Sequence, residues 1–496
     1  MSSATAPEPQ VSNRPSWLNA PFMLLVVLAV ALGVTLMNPA RVDPTFTVWL
    51  SQGDIAQHFL GWHSYRGEPW TLPLGANPRY GLEMGSSIVF TDSIPLLAIL
   101  FKLFHSILPQ HFQYAGLWVV VSIALQAACA WLLLGRFTAD RVILFFGSAF
   151  FALSPAMLVR AGGHFALTAH WTILFALYLY FAPTSPSQRQ WPWRILLMLT
   201  ALIHAYLLYF VFAIWLASLL RSHRRAEFPF LHRIGSAALT VALLVSTMWL
   251  AGWFAIPIAA ATEGGHYGKF AANLIALANP IQGSLMGPPF PEAATATGVE
   301  STHYLGAGAI LLSIVAMFCA FRRYQVGPAI QAHAFLLLAC LSFALLAFSH
   351  QMYWGETLLV SIPLPEEIRG KLEFIRGCGR LLWFAHYLIM VTAIVVVART
   401  LPPQVAGTIV AATFIVQAVD LLPSYKVVAG HQAQSAKALA LNPPQRLRSD
   451  FWTHAALHYS EVNFFPVVHY PKDYEPIALW AIDHRIAVNA AYFARI

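Results

Sequence analysis

The stretch PFMLLVVLAVALGVTLM, residues 21–37, decides the fold class, because it is a long apolar run without a single charged side chain. A helix that crosses a membrane needs roughly 20 residues of this kind. Similar runs recur along the chain, of which 58% is hydrophobic and only 10% is charged. Soluble domains carry about 25% charged residues. The sequence therefore predicts an all-α polytopic membrane protein.

Hydropathy and length together predict about 11 transmembrane elements. The stretch 195–220 is too long for one upright helix, so we interpret it as a helical hairpin with His204 at its tip. Residues 93–108 are apolar but interrupted by Lys102, and we interpret them as an interfacial or re-entrant helix. The remaining predicted spans are 21–38, 115–135, 142–158, 166–182, 236–258, 304–321, 331–348, 382–399 and 404–422.

The basic residues indicate the orientation of these spans. The formal net charge is +8, and lysine and arginine concentrate in cytoplasmic loops. The most basic loop, residues 221–225, is therefore predicted to lie inside, together with an amino-terminal tail at 1–20. Within the transmembrane domain, 21–422, the long outer loops are then 39–114, 259–303 and 349–381. The basic residues are scattered through short loops, a pattern that does not indicate a nucleic-acid partner.

From Pro423 the chain changes character. Asn463–Tyr470 is predicted as a short strand and Tyr474–Arg485 as an amphipathic helix. Residues 423–496 thus resemble a small α/β unit outside the membrane. They are either the beginning of a larger domain or a unit that packs on the outer loops.

The first outer loop contains the most informative polar pattern, Gly53-Asp54 followed by Gln57-His58. In a helix Asp54, Gln57 and His58 share one face, and an opposite apolar face would lie on the membrane surface. A carboxylate placed just above the headgroups can act as a general base toward a hydroxyl. The alternative is that Asp54 merely caps the helix or occupies its first turn.

Asp92 is a second acid in the same outer loop, directly before an apolar helix. Helix capping is the alternative, and it is the preferred explanation if Asp92 is considered without Asp54. Together with Asp54 it can instead act as base and orienter, or hold a divalent cation. Mg²⁺ or Mn²⁺ is compatible with the pair, but the chemistry does not require a cofactor. The four cysteines have no metal-ligand spacing, and no dedicated metal site is predicted.

Several histidines and tyrosines extend this set of candidates. His164 follows two glycines that allow a close backbone approach, although an ordinary turn explains it too. His204 and Tyr206 lie at the predicted hairpin tip, where polar groups near a membrane tend to be functional; a satisfied core histidine is the alternative. The loop 259–303 is rich in groups that contact sugars or phosphate, although much of it can be simple turn: Glu263, His266, Lys269, His303 and Tyr304.

The outer loop before the last two membrane helices is rich in basic residues. This is an exception to the rule that lysine and arginine concentrate in cytoplasmic loops. Arg376 and Arg380 are one helical turn apart, and guanidinium groups match phosphate oxygens well. We interpret them as contacts for a substrate phosphate. The alternatives are pairing with neighbouring glutamates, Glu366, Glu367 and Glu373, or with lipid headgroups.

These motifs, in this order, resemble the C-type membrane glycosyltransferases, the GT-C superfamily, and more closely a bacterial branch of it. The resemblance spans most of the membrane region and rests on short motifs. They are Gly53-Asp54, Gln57-His58, Gly61-Trp62, Thr91-Asp92-Ser93, Gly163-His164, His204-Ala205-Tyr206, Asn279-Pro280, Tyr304-Leu305-Gly306, Arg376 and Gly379-Arg380.

The resemblance implies an enzyme of the bacterial inner membrane that takes a sugar from a polyprenyl-phosphate carrier and delivers it to a glycan or lipid acceptor in the periplasm. The superfamily's early outer-loop aspartate, its usual base, corresponds to Asp54. The carboxyl-terminal unit is short compared with that of most members. A transporter or flippase of a lipid-linked sugar is the alternative, although transporters usually place polar sites at the midplane. A lipid-linked acyltransferase is a third alternative, but the sequence shows no paired nucleophile and base that such an enzyme would use.

Overall fold

The computed structural model describes residues 19–51, 53–182, 186–224, 230–256, 267–293, 302–323, 326–441, 447–466, 471 and 474–493. Within them, seven helical segments are long and apolar enough to cross a membrane, and three shorter apolar helices accompany them. These observations support a multi-pass helical membrane protein. The figure of eleven spans remains a prediction.

The amino-terminal part consists of one membrane helix followed by the first outer loop. Its helices are α1 (Ala20–Met37), α2 (Pro39–Val42), α3 (Gly53–Gly67) and α4 (Pro95–Lys102). The side chain of Asn19 begins α1 by accepting a hydrogen bond from Phe22 N at 3.0 Å. The eight residues of α4 rise only about 12 Å, which is too little to cross a hydrocarbon core of about 30 Å. This length supports the prediction that the segment 93–108 does not span the membrane.

The next seven helices form most of the buried body. They are α5 (Ala115–Leu134), α6 (Arg141–Ala152), α7 (Pro155–Leu158), α8 (Trp171–Tyr180), α9 (Pro186–Ala201), α10 (Ala205–Arg224) and α11 (Phe230–Ala251). Pro155 separates α6 from α7, because proline cannot donate within a continuing helix. The predicted hairpin is present as α9 and α10, which pack against each other. His204 lies in the turn between them.

The carboxyl-terminal half of the membrane region adds six helices and one hairpin. They are α12 (Ala307–Arg323), α13 (Val326–Ala332), α14 (Ala334–Phe348), β1 (Gln351–Trp354), β2 (Thr357–Ser361), α15 (Glu366–Leu372), α16 (Trp383–Thr400) and α17 (Pro403–Leu441). The two strands pair antiparallel within the predicted outer loop 349–381. Most of α16 is buried, whereas apolar side chains of α1 such as Leu24 and Val27 are exposed, as expected for a lipid-facing helix.

The chain ends in a small unit that packs on the first outer loop. Its elements are α18 (Asp450–His458), β3 (Glu461–Val462), α19 (Tyr474–Asp483) and β4 (Ala487–Val488), with the two strands parallel. The backbone of Val488 donates to Arg79 O and accepts from Gly81 N, each at 2.9 Å. Tyr80, Phe90, Tyr474 and Phe493 share one apolar cluster. Residues of the first outer loop thus belong to the core of this unit.

Two boundaries differ from the sequence-based expectation. Helix α17 does not stop at residue 422 but continues through Pro423 to Leu441, so the helix extends beyond the predicted membrane span. The strand predicted at 463–470 is not formed over 463–466, and the strand pairing involves Glu461–Val462 instead. Residues 467–470 lie outside the described part of the chain.

Candidate active site

Asp54 lies at the exposed amino-terminal end of α3. The helix begins at Gly53 in a left-handed conformation, with φ +59°, which glycine adopts without strain. Gly53 N donates to the Glu475 carboxylate at 3.2 Å, and the hydroxyl of Tyr492 donates to Asp54 Oδ1. Both partners come from the carboxyl-terminal unit. The carboxylate is therefore open to solvent and oriented by a distant part of the chain.

The rest of α3 is more buried than its pattern suggests. Gln57 and His58 are only 4% and 5% exposed, so they do not form an open polar face with Asp54. The His58 ring packs against Tyr114 and Phe165, and burial lowers its pKa to about 3. The expectation of a helix lying on the lipid surface is wrong, because protein covers both of its sides.

Asp92 lies in a loop that is fixed to α3. Its backbone is left-handed, with φ +53°, and α4 begins three residues later without a side-chain cap. The capping explanation therefore does not apply to Asp92 in this structure. The neighbouring Ser93 hydroxyl donates to His58 O at 2.7 Å, and His58 lies one helical turn from Asp54. The two acids of the outer loop thus belong to adjoining segments.

The hairpin tip between α9 and α10 supplies the partner of Asp92. Leu96 N donates to Leu202 O at 2.8 Å and joins the two segments. Nδ1 of His204 accepts a hydrogen bond from Tyr206 N at 3.1 Å, so the proton of the neutral ring belongs on Nε2. That nitrogen lies 3.6 Å from Asp92 Oδ1.

Tyr206 continues this connection toward the predicted phosphate contacts. Its hydroxyl accepts from Gly377 N at 2.8 Å, and the guanidinium of Arg380 lies over its ring at 4.8 Å. A Cβ at Gly377 would come within 3.0 Å of Arg380 Nε, so glycine leaves room for this side chain. The structure therefore brings Asp92, His204, Tyr206 and Arg380 together by successive contacts.

Two further cationic side chains lie near the outer segment that carries Arg380. Arg376 and Lys269 are both exposed, and each lies 5.7 Å from the centre of the Phe270 ring. Gly379 N donates to Phe270 O at 2.9 Å and fixes the two loops to each other. Among the described residues, Arg369 pairs with Glu366, whereas Arg376 has no carboxylate within ion-pair distance. Arg376 is thus available to an external anion.

His164 lies beside the beginning of α3. A Cβ on Gly163 would be 3.8 Å from the Ile55 side chain. The preceding residues Ala161 and Gly162 contribute to the wall of a cavity of about 730 Å³, whose other walls include aliphatic residues of α1 and α17. An apolar space thus opens within a few residues of the Asp54 end of α3.

The remaining candidates lie elsewhere or cannot be placed. His303 is fully buried on the cavity wall, and its carbonyl accepts from His386. The Tyr304 hydroxyl donates to Asp420 at 2.9 Å within a buried polar cluster, an arrangement that anchors α12 to α17. Glu263 and His266 lie outside the described residues.

Sequence patterns did not predict Tyr492 or Glu475. The only indication was the expectation that the carboxyl-terminal unit could pack on the outer loops. A carboxylate with a donor on one oxygen and an open face can accept a proton from a bound hydroxyl. The exposed cations can bind an anion such as a phosphate.

Family models match nearly the whole chain. The model described as domain of unknown function DUF6311 matches residues 26–422, and the DUF6311 C-terminal domain matches residues 451–496. The second match covers the unit that supplies Glu475 and Tyr492. Among curated proteins, none matches this chain.

Two solved structures are similar to this chain over most of its length. One is the archaeal oligosaccharyltransferase AglB from Archaeoglobus fulgidus, in complex with an inhibitory peptide and a dolichol-phosphate; it is 13% identical, with 95% of this chain covered and a TM-score of 0.43. The other is the Archaeoglobus fulgidus oligosaccharyltransferase tethered with an acceptor peptide; it is also 13% identical, with 96% covered and a TM-score of 0.44. The chain spans 64% of the length of each.

Proposed function

The chain belongs to the DUF6311 family, and from that premise we propose that it is a membrane glycosyltransferase of the bacterial inner membrane. It moves a sugar from a polyprenyl-phosphate carrier to a glycan or lipid acceptor on the periplasmic side. One observation carries the proposal: Asp54 presents an exposed carboxylate at the start of α3, one turn from the point where the Asp92 loop is fixed.

In the proposed step, an acceptor hydroxyl attacks the anomeric carbon of the sugar and its proton goes to Asp54. The new bond joins the acceptor oxygen to that carbon, and the bond from the carbon to the carrier phosphate breaks. The electron pair leaves with the lipid phosphate. A single displacement of this kind inverts the anomeric configuration. Because the phosphate is a good leaving group, one base and a stabilised anion are sufficient.

The leaving phosphate is assigned to the outer cations. Arg376 and Lys269 are exposed on either side of Phe270, and Arg380 is held over Tyr206. Positive groups that are already in place where negative charge develops stabilise the transition state without reorganisation. Asp92 and His204 act beside them as orienting groups. The apolar cavity near Gly162 offers space for part of a lipid substrate.

The test is transfer from a radiolabelled polyprenyl-phosphate sugar by the full-length protein in lipid vesicles, with a crude glycolipid fraction as acceptor. Asp54→Asn should abolish transfer, because an amide cannot accept the proton, while expression and thermal unfolding stay unchanged. Asp43→Asn is the matched control: Asp43 is an exposed acid of the same loop whose carboxylate accepts hydrogen bonds from the nearby Thr45. Full activity in Asp54→Asn would rule out the assigned base.

The same assay separates the enzyme from a transporter of lipid-linked sugars. An enzyme releases the carrier phosphate and labels the acceptor, whereas a transporter moves the intact donor across the vesicle membrane. The step as written uses no metal ion or cofactor. Mg²⁺ or Mn²⁺ between Asp54 and Asp92 would be an addition to it.

A further inference from the structure

Three side chains that the proposed reaction does not use converge at the other end of α3. Nε2 of His63 lies 2.8 Å from Asp483 Oδ1, and Nε2 of His111 lies 3.1 Å from the same oxygen. Each residue offers one atom that can bind a metal ion, and these three atoms all lie within 4.8 Å of one another. These residues come from α3, from the loop after α4 and from the end of α19.

The local structure holds the two imidazoles in place before any ligand arrives. The His63 ring stacks on Phe59, with centres 5.4 Å apart and an angle of 8° between the rings. Arg66, one turn further along α3, donates to the carbonyls of His105, Leu108, Pro109 and Gln110. Because these carbonyls lead directly to His111, the arginine fixes the segment that presents the second ring.

The electrostatic state of the three groups suits a cation. Burial lowers the pKa of His63, against the opposing effect of Asp483. In the hydrogen bond to Asp483 the ring proton lies on Nε2, and an ion bound at Nε2 would take its place, with the ring proton on Nδ1. Burial alone would raise the pKa of Asp483, but the hydrogen bonds from His111 and His63 outweigh it and hold that pKa below its usual range. The group is thus two imidazoles and one carboxylate anion, with the Arg66 guanidinium directed to carbonyl oxygens.

We propose that His63, His111 and Asp483 form a binding site for a divalent transition-metal ion, for which zinc is the test ion. Zinc binds imidazole nitrogen and carboxylate oxygen at about 2.0–2.2 Å in a tetrahedral arrangement. Its ligand atoms are then a little over 3 Å apart, close to the separations of 2.8 and 3.1 Å seen here. Small side-chain adjustments are enough to admit the ion.

Solvent supplies the fourth ligand in this assignment. The side chains of His111 and Asp483 are 23% and 20% exposed, whereas that of His63 is 6% exposed. The ion therefore has an entry path from the outer side. Nδ1 of His63 has no hydrogen-bond partner within the described residues, so the ring is oriented by Phe59 rather than by a second acceptor.

The site has a structural role that does not depend on the proposed glycosyl transfer. His63 lies nine residues from Asp54 on the same helix, or about 14 Å along its axis. An ion bound there joins α19 to the first outer loop, and the same unit supplies Glu475 and Tyr492 at the opposite end of α3. Metal binding thus fixes the carboxyl-terminal unit on the loop.

The competing explanation is a histidine–aspartate–histidine hydrogen-bond cluster, since the same distances are ordinary for hydrogen bonds. The full-length protein, purified in detergent with a non-histidine tag and stripped with a chelator, separates the two. Zinc is titrated in competition with a chromophoric chelator, and the absorption of bound Co²⁺ reports the ligand geometry. We expect one zinc ion per chain and an increase in the unfolding temperature when zinc is added.

His111→Ala and Asp483→Asn should each weaken zinc binding by more than about 100-fold, because even loss of an outer-shell partner costs 10–100-fold. His105→Ala is the control, since this exposed histidine lies in the same loop outside the cluster and should bind zinc like the wild type. Asp483→Asn keeps a hydrogen-bond acceptor and so preserves the fold. Absence of stoichiometric binding in the wild type, or equal affinity in Asp483→Asn, would overturn the proposal.

Discussion

At the scale of single residues, the environment of Asp54 distinguishes it from the other acids of the outer loops. Its carboxylate accepts a hydrogen bond from Tyr492, which is 438 positions away in the sequence. Hydrogen bonds to charged groups contribute about 1.5–3 kcal/mol when a partner is lost. This hydrogen bond is therefore strong enough to favour one orientation of the Asp54 carboxylate. In that orientation the second carboxylate oxygen faces the acceptor.

Tyr492→Phe should therefore lower kcat about tenfold, since each 1.36 kcal/mol corresponds to a factor of ten in rate. Tyr492 is a positioning residue, so KM for the lipid donor should stay within a factor of two. Tyr459→Phe is the control, because Tyr459 is an exposed tyrosine of the same unit. Initial rates of sugar transfer measure the effect. An unchanged kcat in Tyr492→Phe would show that the contact does not position the base.

Residues that are close in sequence were predicted better than residues brought together by folding. Asp54 and Asp92 could be assigned to adjoining segments because one loop carries both, and His204 could be placed at a hairpin tip by a charge argument. Tyr492 and Asp483 could not, because their partners are hundreds of positions away and no periodicity links them. The sequence also did not predict that His58 is buried, because an amphipathic pattern does not show whether other parts of the protein pack on the polar face of a helix.

At the scale of elements, the close contact between α3 and the Asp92 loop depends on Gly61. A Cβ built there would lie 2.2 Å from Thr91 Oγ1 and 2.3 Å from Thr91 Cβ, and Thr91 is fully buried. In an isolated helix, alanine would be more favourable than glycine by about 1 kcal/mol. Here the clash must exceed that gain, because Thr91 is buried and the Ser93 hydroxyl ties the loop to His58 O of the same helix.

Gly61→Ala should accordingly destabilise the protein by about 1–3 kcal/mol, the usual cost of overpacking, and lower transfer by displacing Asp92. Gly67→Ala is the matched control, because it lies at the exposed end of the same helix and its added Cβ would meet nothing within 4 Å. Thermal unfolding in one detergent measures both variants. Equal unfolding temperatures would mean that α3 and the loop can separate without cost.

The length of α17 shows that hydropathy alone does not predict where a helix ends. Hydropathy ends the predicted span near residue 422, yet the helix continues to Leu441 and measures about 58 Å. Pro423 removes one backbone donor, which often breaks a helix. The alanine-rich segment beyond Pro423 still favours a helix. Hydropathy therefore predicted the apolar part of α17 but not the residue at which the helix ends.

At the scale of the whole molecule, the apolar helices were the most predictable feature. In a bilayer every backbone polar group must find an internal partner, so a long apolar segment has few alternatives to a helix. How the outer loops and the carboxyl-terminal unit fit together depends instead on contacts such as Arg79 with Val488. Those contacts have no counterpart in local composition. The orientation of the membrane domain rests on charge alone.

That orientation predicts that the first outer loop and the carboxyl-terminal unit face the periplasm. Single cysteines at Gln110 and Leu457, both exposed, should react with a membrane-impermeant maleimide in intact spheroplasts on a Cys340→Ser background.

A cysteine at Gln404, exposed at the start of α17, should react only after permeabilisation, because it follows Arg399, which the charge distribution predicts to be cytoplasmic. Labelling at Gln404 in intact spheroplasts would place the loop between α16 and α17 outside. Arg376 and Arg380, which precede α16, would then lie on the other side of the membrane from Asp54 and a periplasmic acceptor.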